Sequence, residues 1–375
     1  MKGRIAVTVI IPVAPGCSPA AAIRAIEREP GVAGKIELIS IAGRNPTLQR
    51  NLAAARARGE WLYFLDHDSI VRPGTLRSLL KAAERFKADA AGGPNEGSPS
   101  KRLIDRAAEF VLKSPAGSPF IYRRYLPTDG EPRKATELSL ILCNLLFRRD
   151  TFLRLKGFDP RLYPNEENEL LNRLADEGGL AISVPGAAVE KSRNYTLGGY
   201  IRENFRYGRG RMQQVWVNPH SRDIVFIGIT ALIMLCILTV AVLILPITLV
   251  MMRMASVVEA LPFDALIRWG RPISYGWIWL SLVYIVSIQF EELRAIFGGK
   301  LYRRYSTSAV SSLMLLRHAS YAAGLLWGAL TGWRARKIGR EAIRVTLETR
   351  ILFSGRGVKS TLWTGLAPLE GEARR

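Results

Sequence analysis

The strongest constraint on the fold is an alternation repeated through the first ninety residues. An apolar run (Ala6 to Val13) is followed by a helical stretch (Ser18 to Glu29), a second apolar run (Ile36 to Ile41), a second helical stretch (Thr47 to Arg58) and a third run, Trp61 to Leu65. Short β-branched and aromatic segments separated by helix-length amphipathic ones predict βαβ units around a parallel sheet. In such sheets ligands collect beyond the carboxyl ends of the strands, which places Ala14, Gly43 to Asn45 and Asp66 to Asp68 in one region. A further helix is expected over Leu76 to Phe86. Gly92 to Arg133, rich in Gly, Pro and Ser, reads as irregular, partly mobile structure over the site.

The opening MKGRIAVTVIIPVAPG has the charges and apolar run of a short signal peptide. Its β-branched residues and its end at Pro12 read better as a buried first strand. Cys17, Cys143 and Cys236 are isolated from one another and from any histidine pair, so the sequence suggests neither a disulfide framework nor a zinc site, and a reducing compartment is expected.

The second half differs in character. Ile224 to Met252 is an uncharged apolar run of bilayer-spanning length, Pro272 to Phe290 is another, and Ser308 to Leu330 a third that carries Arg317 and His318 near its middle. That pair makes the third segment a candidate for an interfacial, re-entrant or active-site role. The expected organisation is a globular domain over 1–196, an amphipathic surface helix over 197–220, a membrane region over 221–335 and a basic cytoplasmic tail over 336–375. With two spans and one non-spanning segment, both the globular domain and the tail stay on the cytoplasmic side, as the positive-inside tendency favours. The net charge of +21 suits an anionic lipid surface. No finger, helix-turn-helix or aromatic RNA-binding signature points to nucleic acid.

Asp66 and Asp68 flank His67 at the end of the third run. Two hard oxygen ligands in that spacing can share Mg²⁺ or Mn²⁺ and bridge it to a nucleotide's phosphates; a turn in which Asp68 or Ser69 accepts local N–H groups is the alternative. Downstream, in GFDPRLYPNEENELLNRL, Asn165 is suited to N-cap a helix. Glu166 and Glu167 then fall in its first turn, where the dipole favours the ionised form. An ionised carboxylate there can take the proton from a hydroxyl nucleophile, or simply complement the dipole.

Taken in order, TVIIPVA, RNPTLQRNLAAARARGEWLYFLDHD, GGPN, LCNLLFRRDTFLRLKGFD and NEENELLNRL resemble the family 2 glycosyltransferases over roughly residues 6 to 215. The resemblance implies an α/β GT-A fold, with a Rossmann-like, mostly parallel sheet, followed here by C-terminal transmembrane helices. It also implies inverting, metal-dependent transfer from a nucleotide-diphosphate sugar. By resemblance, Asp68 is the metal ligand with Asp66 assisting, and Glu167 is the base where the family usually has aspartate, leaving Glu166 as the fallback. The aspartate with which the family grips the nucleotide base is missing from ISIAGRNP. Pro12, Ala14, Arg44 and Asn51, with Asp66, are therefore the expected nucleotide contacts, with UDP as the default base and GDP left open.

Gly93, Asn95, Asn144 and Arg148 fall where the family lines the donor and acceptor pocket. In GGYIRENFRYGRGRMQQVW, arginines alternate with aromatics at helical spacing, so Arg206, Arg209 and Arg211 are candidates for the donor diphosphate or a lipid phosphate, with membrane anchoring as the other reading. No Gln-x-x-Arg-Trp motif is present, which argues against a processive polysaccharide synthase. The expected partners are a nucleotide-diphosphate sugar, a lipid-linked glycan acceptor and membrane lipids, with the catalytic domain on the cytoplasmic side of a bacterial inner membrane. Two alternatives stand beside this expectation: transfer to polyprenyl phosphate itself, and an inactive membrane scaffold that keeps the fold.

Overall fold

The structure, a computed structural model, describes residues 4–32, 35–220, 227–228, 307–331, 344–352 and 358–366. The apolar runs at 224–252 and 272–290 lie, but for residues 227–228, outside the described residues. No described helix is long and apolar enough to cross a membrane.

The alternating start folds as its periodicity dictates. Strand β1 (Ile5–Val13), helix α1 (Ala20–Glu27), β2 (Lys35–Ala42), α2 (Pro46–Arg56) and β3 (Trp61–Phe64) follow in order. β1 pairs in parallel with β2 on one side and β3 on the other. Because successive strand residues point to opposite faces, β1 feeds two cores. Val7, Val9 and Ile11 join the cluster that holds Ile23 and Ile26 of α1 and Leu76 and Leu79 of α3 (Thr75–Arg85). Ile10 joins Leu62, Phe64 and Ala53 in the cluster on the other face.

Beyond β3 the sheet continues through β8 (Leu145–Arg148), β5 (Ala90–Gly92), β9 (Ala181–Ser183) and β7 (Arg133–Lys134). β5 and β9 run with the parallel core, whereas β8 and β7 are reversed. A small second sheet sets β10 (Val189–Lys191) between β4 (Ser69–Val71) and β6 (Asn95–Gly97). The far side of β2 is not a free edge. β11 (Arg344–Leu352) pairs antiparallel with β2, and β12 (Val358–Leu366) with β11, so the described part of the basic tail extends the sheet.

The segment 92–133 departs from the irregular reading. It contains α4 (Leu103–Lys113), whose Ala107, Ala108, Phe110 and Val111 enter a third apolar cluster. Flanking glycines, prolines and serines obscured a short but regular helical period. The partners in that cluster are Tyr200, from α7 (Leu197–Val217), and Val310, Leu313 and Met314, from α8 (Thr307–Thr331). α8 corresponds to the third apolar run. It lies against α7 so closely that a Cβ added at Gly208 would sit 1.9 Å from the Tyr321 carbonyl oxygen, and one at Gly324 2.0 Å from that of Phe205. Small residues at such crossings let two backbones approach. α7 is therefore one half of a helix pair, and not a lone helix with a whole face left for a bilayer.

Candidate active site

A cavity of about 850 Å³ opens at the carboxyl ends of β1, β2 and β3. It is lined by Pro12 to Pro15, Gly43 and Arg44, by Asp66 to Asp68, by Tyr163 to Glu167, and by residues of α7 and α8. The strand ends there are held by Gln49, whose amide donates to the carbonyls of Val13 (3.2 Å) and Ile41. One side chain thus fixes the ends of two neighbouring strands.

Glu166 and Glu167 do lie in the first turn of α6 (Glu166–Asp176). Asn165 stands at the N-cap, but it adopts φ 84° and its side chain does not cap the helix. Its carbonyl side-chain oxygen instead accepts from Asn168 (2.8 Å), and its amide donates to the Tyr207 carbonyl (3.3 Å), tying α6 to α7.

The two glutamates differ in partner. Glu166 is buried and receives Arg50 Nη1 at 2.9 Å; Glu167, at the cavity wall, has Arg124 Nη1 at 3.8 Å. Burial pushes the Glu166 carboxyl up to about 7, and the neighbouring Glu167 adds to that, against the pull of Arg50. The ionised state expected from the helix dipole is therefore not what burial gives Glu166. Its salt bridge does not overturn this, because the same guanidinium is shared with a second carboxylate.

That second carboxylate is Asp66. It accepts from Arg50 Nη2 at 2.8 Å and from Lys191 Nζ at 3.0 Å. Burial opposes its ionisation, yet Lys191 and Arg50 together hold the carboxyl well below the usual range. Lys191 Nζ also stands 3.0 Å from Asp68 Oδ1. The result is one chain of alternating charge, Glu166–Arg50–Asp66–Lys191–Asp68, linking the start of α6 to the Asp-His-Asp turn. Burial alone would make Lys191 easier to deprotonate, but the two aspartates outweigh it and keep the ammonium charged.

As arranged, these residues do not fit Mg²⁺ or Mn²⁺. Both Asp66 oxygens are already hydrogen-bonded to cations, Asp68 shares one of them, and the described residues contain no group of three ligating side chains. A hard divalent ion needs about six oxygen ligands, several of them free to turn toward it.

Of the nucleotide candidates, Pro12, Ala14, Arg44 and Asp66 line the cavity. Asn51 does not; its side chain donates to the Phe158 carbonyl (2.8 Å) and accepts from the Phe158 N–H (3.0 Å), holding the loop before α6. Asn95 lines the cavity, but the other expected sugar-pocket residues are structural. Asn144 is buried, accepts from the Tyr63 hydroxyl (2.8 Å) and donates to the carbonyls of Pro94 (3.2 Å) and Ala187 (2.7 Å). Gly93 gives room to the Ala187 carbonyl, which a Cβ would meet at 1.8 Å, and not to a sugar. Arg148 lies over the Trp61 ring at 4.4 Å and pairs with Glu60 (3.2 Å), outside the cavity.

On α7, Arg206 and Arg211 face the cavity along with Glu203 and Tyr207, whereas Arg209 is turned toward α8, its backbone beside Gly324 and Gly328. α8 itself contributes Arg317 and Tyr321. Arg317 donates to the Gly117 carbonyl (2.9 Å) and to Asn204 Oδ1 (2.6 Å), so it is fixed between α7 and the turn that follows α4.

Sequence reasoning missed Arg50, Arg124 and Lys191. Arg50 carried a usable signal, a cation in the first half of the helix preceding the carboxylate strand. Lys191 lies 125 positions from Asp66 and carried none.

The model of glycosyltransferase-like family 2 matches residues 7–210. No curated protein matches the sequence. Solved structures that match include S. aureus TarS, at 11% identity and a TM-score of 0.39, over 58% of this chain and 43% of that one. The chain thus spans less than half the length of that protein. The α/β fold and the shared direction of the central strands are consistent with GT-A.

Proposed function

Since the chain belongs to glycosyltransferase family 2, and is accordingly a glycosyltransferase, we propose that it moves a sugar from a nucleotide-diphosphate donor to a lipid-linked acceptor with inversion at the anomeric carbon. The observation that carries this reading is one cavity lined by Asp66, Asp68 and Glu167 together with Arg206, Arg211 and Arg317.

In the proposed reaction the nucleoside rests on Pro12, Ala14 and Arg44. UDP is the default donor nucleotide and GDP stays open, because ISIAGRNP offers no aspartate to grip the base. The acceptor oxygen attacks the anomeric carbon, its proton passes to Glu167, and the electron pair of the breaking C–O bond goes to the leaving diphosphate. Glu166 serves Arg50, which in turn holds Asp66. The Mg²⁺ or Mn²⁺ implied by the family resemblance would require Lys191 to leave the aspartates. The uncharged apolar runs at 224–252 and 272–290 support attachment to a bacterial inner membrane, with the catalytic domain on the cytoplasmic face.

The test is nucleotide release from UDP-, GDP- and dTDP-sugars by detergent-purified protein supplied with bacterial lipid extract. Glu167→Gln is expected to lower kcat by about 10²–10⁴-fold while nucleotide binding persists. Unchanged turnover in that variant excludes a hydroxyl acceptor activated by Glu167.

Transfer to polyprenyl phosphate is the second reading, favoured by Arg206, Arg211 and Arg317 in the cavity lining. A phosphate acceptor is already ionised and needs no base, so it predicts a Glu167→Gln variant that still turns over.

A further inference from the structure

The Asp66/Asp68 pair faces a fixed cation. Lys191 belongs to β10, the central strand of the small sheet, and its backbone is paired on both sides, opposite Ser69 on β4 and opposite Gly97 on β6. The pairing with Ser69 brings the residue level with the end of the Asp-His-Asp turn. From there Nζ reaches Asp66 Oδ2 and Asp68 Oδ1, each at 3.0 Å. With the backbone held by two neighbours, only side-chain rotation could carry the ammonium away from the pair.

An ammonium has three N–H donors. One is donated to Asp66 and the charge is shared with Asp68, while the side chain remains 26% exposed at the cavity wall. Arg50 supplies a second positive charge to Asp66 through its other oxygen, Oδ1. The two aspartates therefore already have two cationic partners. A divalent ion entering here would meet like charge within hydrogen-bond distance of the same oxygens.

We propose that Lys191 takes the place of the divalent metal in this site: its ammonium, oriented by Asp66 and Asp68, binds the donor diphosphate directly and receives the charge that develops on it as the glycosidic bond breaks. The inference rests on the diphosphate donor of the proposed function. No proton is transferred from Lys191. The C–O electron pair moves to the diphosphate oxygen, the acceptor proton moves to Glu167, and the ammonium remains a cation throughout. The aspartates act as positioning residues that keep a flexible four-carbon side chain aimed at one point.

The test is binding of UDP, GDP, dTDP and inorganic pyrophosphate to the full chain in detergent, by titration calorimetry, in EDTA and again in Mn²⁺. Wild type is expected to bind one nucleoside diphosphate in EDTA with an affinity that changes less than about threefold on adding Mn²⁺. Lys191→Met is expected to weaken binding in EDTA by at least about tenfold, the scale of one hydrogen bond to a charged group. That variant should regain affinity in Mn²⁺, because the vacated carboxylates can then hold the ion. Lys191→Arg, which keeps the charge and the fold, should lie between the two.

A wild-type protein that loses about tenfold or more in EDTA overturns the inference while leaving the donor reading intact, and so does a folded Lys191→Met that binds like wild type. Failure to bind any nucleoside diphosphate in either condition overturns the donor reading, and the role of Lys191 with it.

Discussion

Arg50 is the point where the site can be broken most informatively. Its guanidinium, with the side chain 5% exposed, bridges Asp66 at 2.8 Å and Glu166 at 2.9 Å. In Arg50→Met, Asp66 keeps Lys191, whereas Glu166, 2% exposed, is left with no cation at hydrogen-bond distance among the described residues. Removing one partner of a buried pair costs roughly 3–5 kcal/mol at a pH where the remaining group is ionised. Glu166 can escape part of this by taking up a proton, since burial already raises its carboxyl from 4.5 to about 7 and loss of Arg50 raises it further.

The sign of the pH dependence follows. A carboxyl whose folded value is raised lends stability that is fully present below its unfolded value and is lost as pH rises through the folded one. Loss of the Arg50–Asp66 pair therefore weighs about equally at pH 5 and pH 8, whereas the Glu166 part is small near pH 5 and adds about 1.4 kcal/mol by pH 8, one unit above about 7, or about 3–6 °C in Tm for a domain of this size. Thermal unfolding of wild type, Arg50→Met and Arg50→Met/Glu166→Gln at the two pH values reads it directly. The double variant, whose neutral amide needs no counter-charge, should recover the increment that appears at pH 8 and show little pH dependence, while the Asp66 part of the loss remains. A defect equal at pH 5 and pH 8, or a double variant as unstable as the single one, would refute the charge chain.

Other expectations concern residues whose roles the tertiary structure reassigned. Asn144→Ala removes three buried hydrogen bonds, leaving the Ala187 carbonyl and Tyr63 hydroxyl without that partner. It should cost about 2–4 kcal/mol with donor KM nearly unchanged, as read by denaturant unfolding and steady-state kinetics; a tenfold rise in KM without loss of stability would return Asn144 to the sugar pocket. Gly324→Val places a branched side chain where even a Cβ meets the Phe205 carbonyl at 2.0 Å. It should loosen α8 from α7, expose Arg317 to trypsin and lower turnover, whereas unchanged cleavage and activity would mean that α8 does not complete the cavity.

Much of the architecture is written locally. Period-2 runs such as Val7, Val9 and Ile11 against Ile10 make strands wherever they occur, and the spacing of Leu76, Leu79 and Leu80 makes a helix, because these periods follow from backbone geometry alone. Asp66, Asp68, Glu166 and Glu167 were legible for the same reason. A strand's carboxyl end and a helix's first turn are local positions, and the strand alternation says that they converge.

What each side chain does once there was decided by contacts across the chain. Asn144 and Arg148 look like site residues from their neighbours in sequence, but Tyr63, Ala187 and Trp61 claim them. Gly93 yields its space to Ala187, 94 positions along the chain. The apolar run of α8 could equally have met lipid, and Gly208 against Tyr321, with Gly324 against Phe205, seats it on α7 instead. Lys191 is the clearest case. Nothing in Val189–Lys191 announces a partner, and only the antiparallel pairing of β10 with β4 carries its ammonium to the aspartates. Periodicity is a property of adjacent residues, whereas charge pairing at 3 Å is a property of residues that only the closed fold makes adjacent.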